Sequence, residues 1–192
     1  MTPPLVWRFD PPALVLSSAP VGGGLGVRHW IINGRVPLDY ARRDLDAHIA
    51  ELAADVGCIG DGVGMLTAAS LDAGVRDDGG VICTATVGIS KPTWAADAEG
   101  AVSAWAPGTI NVVVQVPVRL SDAALVNAVM TATEAKTQAL LDRGVPGTGT
   151  ASDAVCIVCP TDGVAEPFAG PRSAWGSRLA RAVHAAVLDG LP

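Results

Sequence analysis

GTINVVVQVPV at residues 108–118, SDAALVNAVMTATEAKTQALLDRG at 121–144 and VPGTGTASDAVCIVCP at 145–160 decide the fold. The first alternates. Ile110, Val112, Val114 and Val116 share one face, and Thr109, Asn111, Val113 and Gln115 share the other, which is the period of a strand. Pro117 marks its end or an edge. The second piece is a helix of roughly six turns. Ser121 is its cap, Leu120 and Leu125 form a staple across the cap, Asp122 suits the positive end of the helix, and Arg143 with Gly144 closes it. Leu125, Val129, Ala132, Ala135 and Ala139 make a packing stripe, while Asn127, Thr131, Glu134 and Gln138 make a polar one. The third piece is a Gly/Thr-rich loop running into a strand over residues 152–159.

Working outward, Pro11 and Pro12 precede a short strand at 13–18, and residues 27–32 form a second. Asn33-Gly34 carries a turn signal, and the two strands are expected to pair as a hairpin. Leu45, Ile49, Leu52 and Val56 recur at helical spacing, so a helix is predicted over 39–56, capped by Asp39 and stopped by Gly57. Strands follow at 63–68 and 81–90, with a turn over 77–80 between them. Residues 91–107 hold two Trp among small and acidic residues and read as a lid-like excursion. Leu179, Val183, Ala186 and Val187 give a closing helix over 173–191. The strand–helix–strand layouts around 27–68 and 109–159 resemble each other. The expected class is α+β (or α/β), a mixed sheet covered by helices in one domain spanning 1–192.

Composition narrows the function. The chain has 192 residues, 49% hydrophobic but only 4% aromatic, so its core is built from Ala, Val, Leu and Ile. A net charge of −6 argues against nucleic acid and anionic membrane as partners. No signal peptide and no apolar run of membrane-spanning length is read, and four cysteines without a disulfide-framework spacing suit a reducing cytoplasm. Cys156 and Cys159, three apart on a strand, point to opposite faces and read as buried thiols rather than a redox pair. The lightly charged, apolar composition makes a homodimer the expectation.

Familiar motifs are absent. The glycine clusters at 22–26 and 60–64 lead into strands, without the strand–loop–helix context that cradles phosphate. His29, His48 and His184 are far apart, which disfavours a structural zinc and leaves a metal requirement open. No G-x-S-x-G elbow is present. The segment PGTGTASDAV is the most specific-looking. Small residues let backbone approach a ligand, Thr148, Thr150 and Ser152 add hydroxyls, and Asp153 adds a carboxylate. An ordinary Gly/Thr turn capped by Asp153 has the same letters. Glu134 and Lys136, two apart, point to different sides of the helix.

Residues 108–140 together with TGTASDAV at 148–155 resemble the adenosylcobinamide amidohydrolase family. The resemblance extends to VGMLTAA at 63–69, TATVGIS at 84–90 and AGPRSAWG at 169–176, with Ala151 where the family usually has Gly and Ser152 where it has Thr. It implies an amide hydrolase of corrinoid salvage that cuts the amide joining aminopropanol to the corrin propionate arm and releases cobyric acid. Some relatives accept pseudocobalamin-type corrinoids. The corrinoid is substrate, and no organic cofactor is implied. Under that resemblance, Asp153 or Glu134 is the general base acting on water or on Thr148 or Thr150. Backbone N–H groups around 147–151, with Gly147 and Gly149 among the substrate-binding candidates, meet the oxyanion, and Lys136 helps neutralise it. Asn111, Gln115, Ser152 and Thr131 are the substrate-binding candidates, amides being suited to the amide rim of a corrin. A non-catalytic corrinoid carrier, or a hydrolase for another amide, would share these letters.

Overall fold

The computed structural model describes residues 2–98 and 108–191. Among the described residues seven strands form one sheet, β1 (Leu5–Ser17), β2 (Gly24–Arg35), β3 (Gly62–Thr67), β4 (Gly74–Asp78), β5 (Val81–Gly88), β6 (Thr109–Gln115) and β7 (Ala154–Cys159). Three helices accompany it, α1 (Leu45–Asp55), α2 (Asp122–Asp142) and α3 (Ala174–Gly190). The strand order is β3-β2-β1-β7-β6-β5-β4. β2 with β3 and β6 with β7 are parallel pairs, each joined through a helix, and the other neighbours are antiparallel. The fold is α+β with a mixed sheet.

That order contains one arrangement twice. β1-β2-α1-β3 and β5-β6-α2-β7 each consist of an antiparallel pair followed by a helical crossover to a parallel neighbour. The similarity of layout around residues 27–68 and 109–159 is therefore a similarity of topology.

All three helices lie against one face. Ile110, Val112 and Val114 of β6, Val155 and Ile157 of β7 and Cys83 of β5 pack with the small-residue stripe of α2 and with Leu179, Val183 and Val187 of α3. The α2 stripe of Ala124, Ala128, Ala132, Ala135 and Ala139 is buried, which brings the helix axis close to the sheet. α1 covers Trp30 and Ile32 through Ile49 and Ala53. Ile31, one residue between, points the other way and joins Ala13, Val15, Val63, Met65, Val113, Cys156 and Val158.

This second face is covered by the sheet itself. β3 and β6 are four strand spacings apart, about 19 Å if the sheet were flat. Yet Asn111 Nδ2 of β6 donates to the Leu66 carbonyl of β3 at 3.1 Å. The sheet curls into an open half-barrel with an aliphatic interior, and the helices lie outside.

Several local expectations change. The Asn33-Gly34 turn does not exist, because both residues are inside β2. Asn33 is 1% exposed and bonds across the half-barrel, and Gly34 leaves room for Leu52 of α1, which a Cβ would strike. α1 begins at Leu45 rather than near 39, since residues 37–40 form a turn closed by Tyr40 N to Pro37 O. β1 begins before the prolines, β4 was not expected, and Pro117 lies just beyond an internal strand. The expected lid falls partly on residues 99–107, which lie outside the described residues. Cys156 and Cys159 do face opposite sides, in the interior and under the helices, and all four cysteines are free. Among the described residues no helix is long and apolar enough to cross a membrane.

Candidate active site

One end of the half-barrel gathers the chain's polar segments. Parallel β6 and β7 start there, and β3 and β5 end there. The stretches 63–69, 84–90, 108–111 and 148–155 therefore converge, although up to ninety residues separate them in the chain. Gly88 lies against Ala69, and Ser152 Oγ meets Thr109 Oγ1 at 2.8 Å and the Gly108 carbonyl at 3.1 Å.

Asp153 is the centre of this end. It precedes β7 on the side facing α2, and Lys136 of α2 forms an ion pair with its Oδ2. The two side chains are 8% and 11% exposed. Asp153 also accepts from Ile110 N at 2.9 Å, Thr150 N at 3.1 Å and the Thr150 hydroxyl. The Thr150 hydroxyl lies 2.8 Å from the Gly108 carbonyl as well. A carboxylate placed this deep is compensated only by such a full set of donors. A Cβ on Gly149 would collide with Asp153 Oδ2 and Lys136 Nζ, so glycine is what lets the ion pair form under the loop.

The loop is itself braced. Thr93 and Gly149 form an antiparallel bridge, with Thr93 N to Gly149 O at 2.9 Å and Thr148 N to Thr93 O at 2.8 Å. Thr148 Oγ1 accepts from Ala95 N at 2.9 Å, and the Thr137 hydroxyl donates to Thr148 O. Thr148 is thus engaged in holding residues 93–95. The N–H groups of Gly147, Thr148 and Thr150 are spent within the loop and its brace.

The remaining expected residues divide. Asn111 sits at the same end but is 2% exposed, locked to Asn33 and Leu66. Gln115 is four residues further along β6, roughly 13 Å away. It lines a hollow of about 350 Å³ at the opposite end, with Phe9, Pro12, Ile82 and Val158. That hollow is larger than the 250 Å³ one formed at the Asp153 end by Arg35, Val36, Leu38 and Ala68, but the paired carboxylate, ammonium and hydroxyl are at the other end of the sheet. Thr131 is buried under the approach to α3 and donates to the Ala169 carbonyl at 2.9 Å. Glu134 is exposed on the side of α2 away from Lys136. Asn33 and Thr86 are the site-end residues that sequence reasoning missed. The first is hidden in a turn-like dipeptide, and the second in an ordinary strand. Among the described residues no three His, Cys, Asp or Glu side chains gather at metal-binding distance.

With this geometry in hand, comparison with known proteins is specific. A family model described as adenosylcobinamide amidohydrolase matches residues 1–192. The adenosylcobinamide amidohydrolase of Methanosarcina mazei is 31% identical over 184 residues, which is 91% of this chain and 88% of the relative. That of Halobacterium salinarum is 34% identical over 161 residues, 79% of this chain and 69% of the relative.

Proposed function

Because the chain belongs to the adenosylcobinamide amidohydrolase family, we propose that this amidohydrolase converts adenosylcobinamide to adenosylcobyric acid and aminopropanol. Pseudocobalamin-type corrinoids, which carry the same propionamide linkage, enter the proposal as further substrates. The corrinoid is substrate throughout, and the protein residues alone are assigned the chemistry below.

The observation that supports a site at the Asp153 end is the chain Thr150 hydroxyl–Asp153–Lys136. Ammonium, hydroxyl and two backbone N–H groups already fill the carboxylate's acceptor directions. The O–H it is placed to deprotonate is therefore that of Thr150, in preference to a lodged water. Thr150 Oγ1 attacks the amide carbonyl carbon as its proton passes to Asp153 Oδ1. Loop N–H groups and the Lys136 charge meet the oxyanion. Collapse breaks the C–N bond, and the proton on Asp153 leaves with the aminopropanol nitrogen. Water then cleaves the ester, releasing the corrinoid acid and restoring the hydroxyl.

Aminopropanol release from adenosylcobinamide by the purified protein is the test. Asp153→Asn and Thr150→Val are expected to lower kcat by about 100-fold or more, Thr150→Ser to keep much of it, and Glu134→Gln to stay within about twofold of the parent. Undiminished turnover by Thr150→Val would move the attack to water, and a loss in Glu134→Gln would move the base to α2. A corrinoid spectral change with no aminopropanol released would favour the carrier reading.

A further inference from the structure

We infer that Asn33, backed by Thr86, is a positioning residue for Asp153, acting through Asn111 and the backbone of Ile110. The inference rests on the reading above that Asp153 works on the substrate amide. The middle of the half-barrel interior is mostly apolar, lined by Ala13, Val15, Ile31, Val63, Met65 and Val113. At the Asp153 end the lining turns polar: Ser17 and Thr67 are buried there, and Asn33, Thr86 and Asn111, from three strands, are joined side chain to side chain. Asn33, Thr86 and Asn111 are 1%, 1% and 2% exposed. Asn33 Nδ2 donates to Thr86 Oγ1 at 2.9 Å, and Asn111 Nδ2 donates to Asn33 Oδ1 at 2.9 Å and to Leu66 O at 3.1 Å.

Such a network is a poor way to gain stability. Each group must be desolvated, and well-packed apolar residues of the same shape would hold the interior about as well. What the network does supply is position. Both Nδ2 protons of Asn111 are committed, one to β2 and one to β3, while β5 offers Thr86 directly opposite Asn111 in the ladder. Asn111 is therefore fixed from three directions. Its chain predecessor Ile110 donates the 2.9 Å bond to Asp153 Oδ1. Its partner in the β6–β7 ladder is Ala154, the residue after Asp153. A small shift of Asn111 moves both a donor on the carboxylate and the strand start that carries it. Misplacements of this kind are expensive in rate rather than in binding.

Kinetics and one amide signal test this together. With adenosylcobinamide, Asn33→Ala is expected to lower kcat about 30-fold and Thr86→Val about fivefold, with KM within about threefold. Thr86→Ser, which keeps the hydroxyl, is expected to retain the parental kcat. A residue that merely braces the sheet would lower the melting temperature and leave kcat of the folded protein unchanged, and that pattern overturns the inference. Hydrogen exchange at the Ile110 amide reads the same geometry without turnover. About tenfold faster exchange is expected in folded Asn33→Ala or Thr86→Val, and unchanged protection overturns the inference. Should the parent protein release no aminopropanol, the activity reading fails by itself and the Ile110 amide still decides this one. Should Asn33→Ala not fold, the contrast between Thr86→Val and Thr86→Ser decides it.

Discussion

Asp153 and Lys136 set the residue-scale energetics. Placing two charges at 8% and 11% exposure costs desolvation on both sides, and the Ile110 and Thr150 donors help offset it. Removing one partner strands the other. Lys136→Met alone is expected to cost about 3–5 kcal/mol in urea unfolding, and Lys136→Met with Asp153→Asn to recover part of that. A double-variant loss equal to the sum of the two single-variant losses would show the pair to be uncoupled. The thiols give a second residue-scale expectation. Burial pushes Cys83 upward and Cys156 up to about 12, while unfolded thiols titrate near the ordinary value. The folded chain holds these protons more tightly than the unfolded one. Their contribution is complete below about pH 8.5 and is lost as pH rises toward 12. Urea midpoints are expected to fall between pH 8 and 10.5, with thiolate absorbance appearing only on unfolding. A loss of stability with thiolate already present in the folded protein would contradict this.

At the element scale, α2 shows what local letters can specify. Ser121 accepts from Ala124 N at 3.1 Å, Leu120 is buried beside the cap, and Gly144 closes the helix at φ 73°. Ser121→Ala is expected to cost about 1 kcal/mol, read as a shift in the urea midpoint at unchanged slope. No shift would mean that another group satisfies that N–H. The same helix shows where local reading stops. Spacing separates Glu134 from Lys136, but an isolated Lys on a helix looks solvated. Its burial follows from Asp153, seventeen residues on and across a loop. The start of α1 is misjudged for a related reason, because Asp39 has the letters of a cap but the chain spends it in the 37–40 turn. β4 escapes because GVRDD has no apolar alternation. It is an edge strand whose Arg76 and Asp78 are held by Asp189 and Arg181 of α3.

At the scale of the whole molecule, the two β-β-α-β units are not independent. β1 pairs with β2 on one side and with β7 on the other. The interior cluster draws Val15, Ile31, Val63 and Met65 from the first unit and Val113, Cys156 and Val158 from the second. A fragment of residues 2–67 is therefore expected to be unfolded alone, with random-coil circular dichroism and no cooperative melt. A folded fragment would mean that the curl is not what buries its strands.

Sequence alone determined the type of every element but β4, the long helix with its caps, the opposite facing of Cys156 and Cys159 and the resemblance that led to the family. All of these are carried by spacing within a few residues or by contiguous motifs. Only the tertiary structure decided that Asn33-Gly34 runs through a strand, that Asn111 is locked rather than presented, that Gln115 belongs to the far end, and that Thr150, Asp153 and Lys136 form one chain of contacts. The physical reason is the curl of the sheet. It closes a gap of about 19 Å between strands far apart in sequence, and no local period records a bond made across that gap.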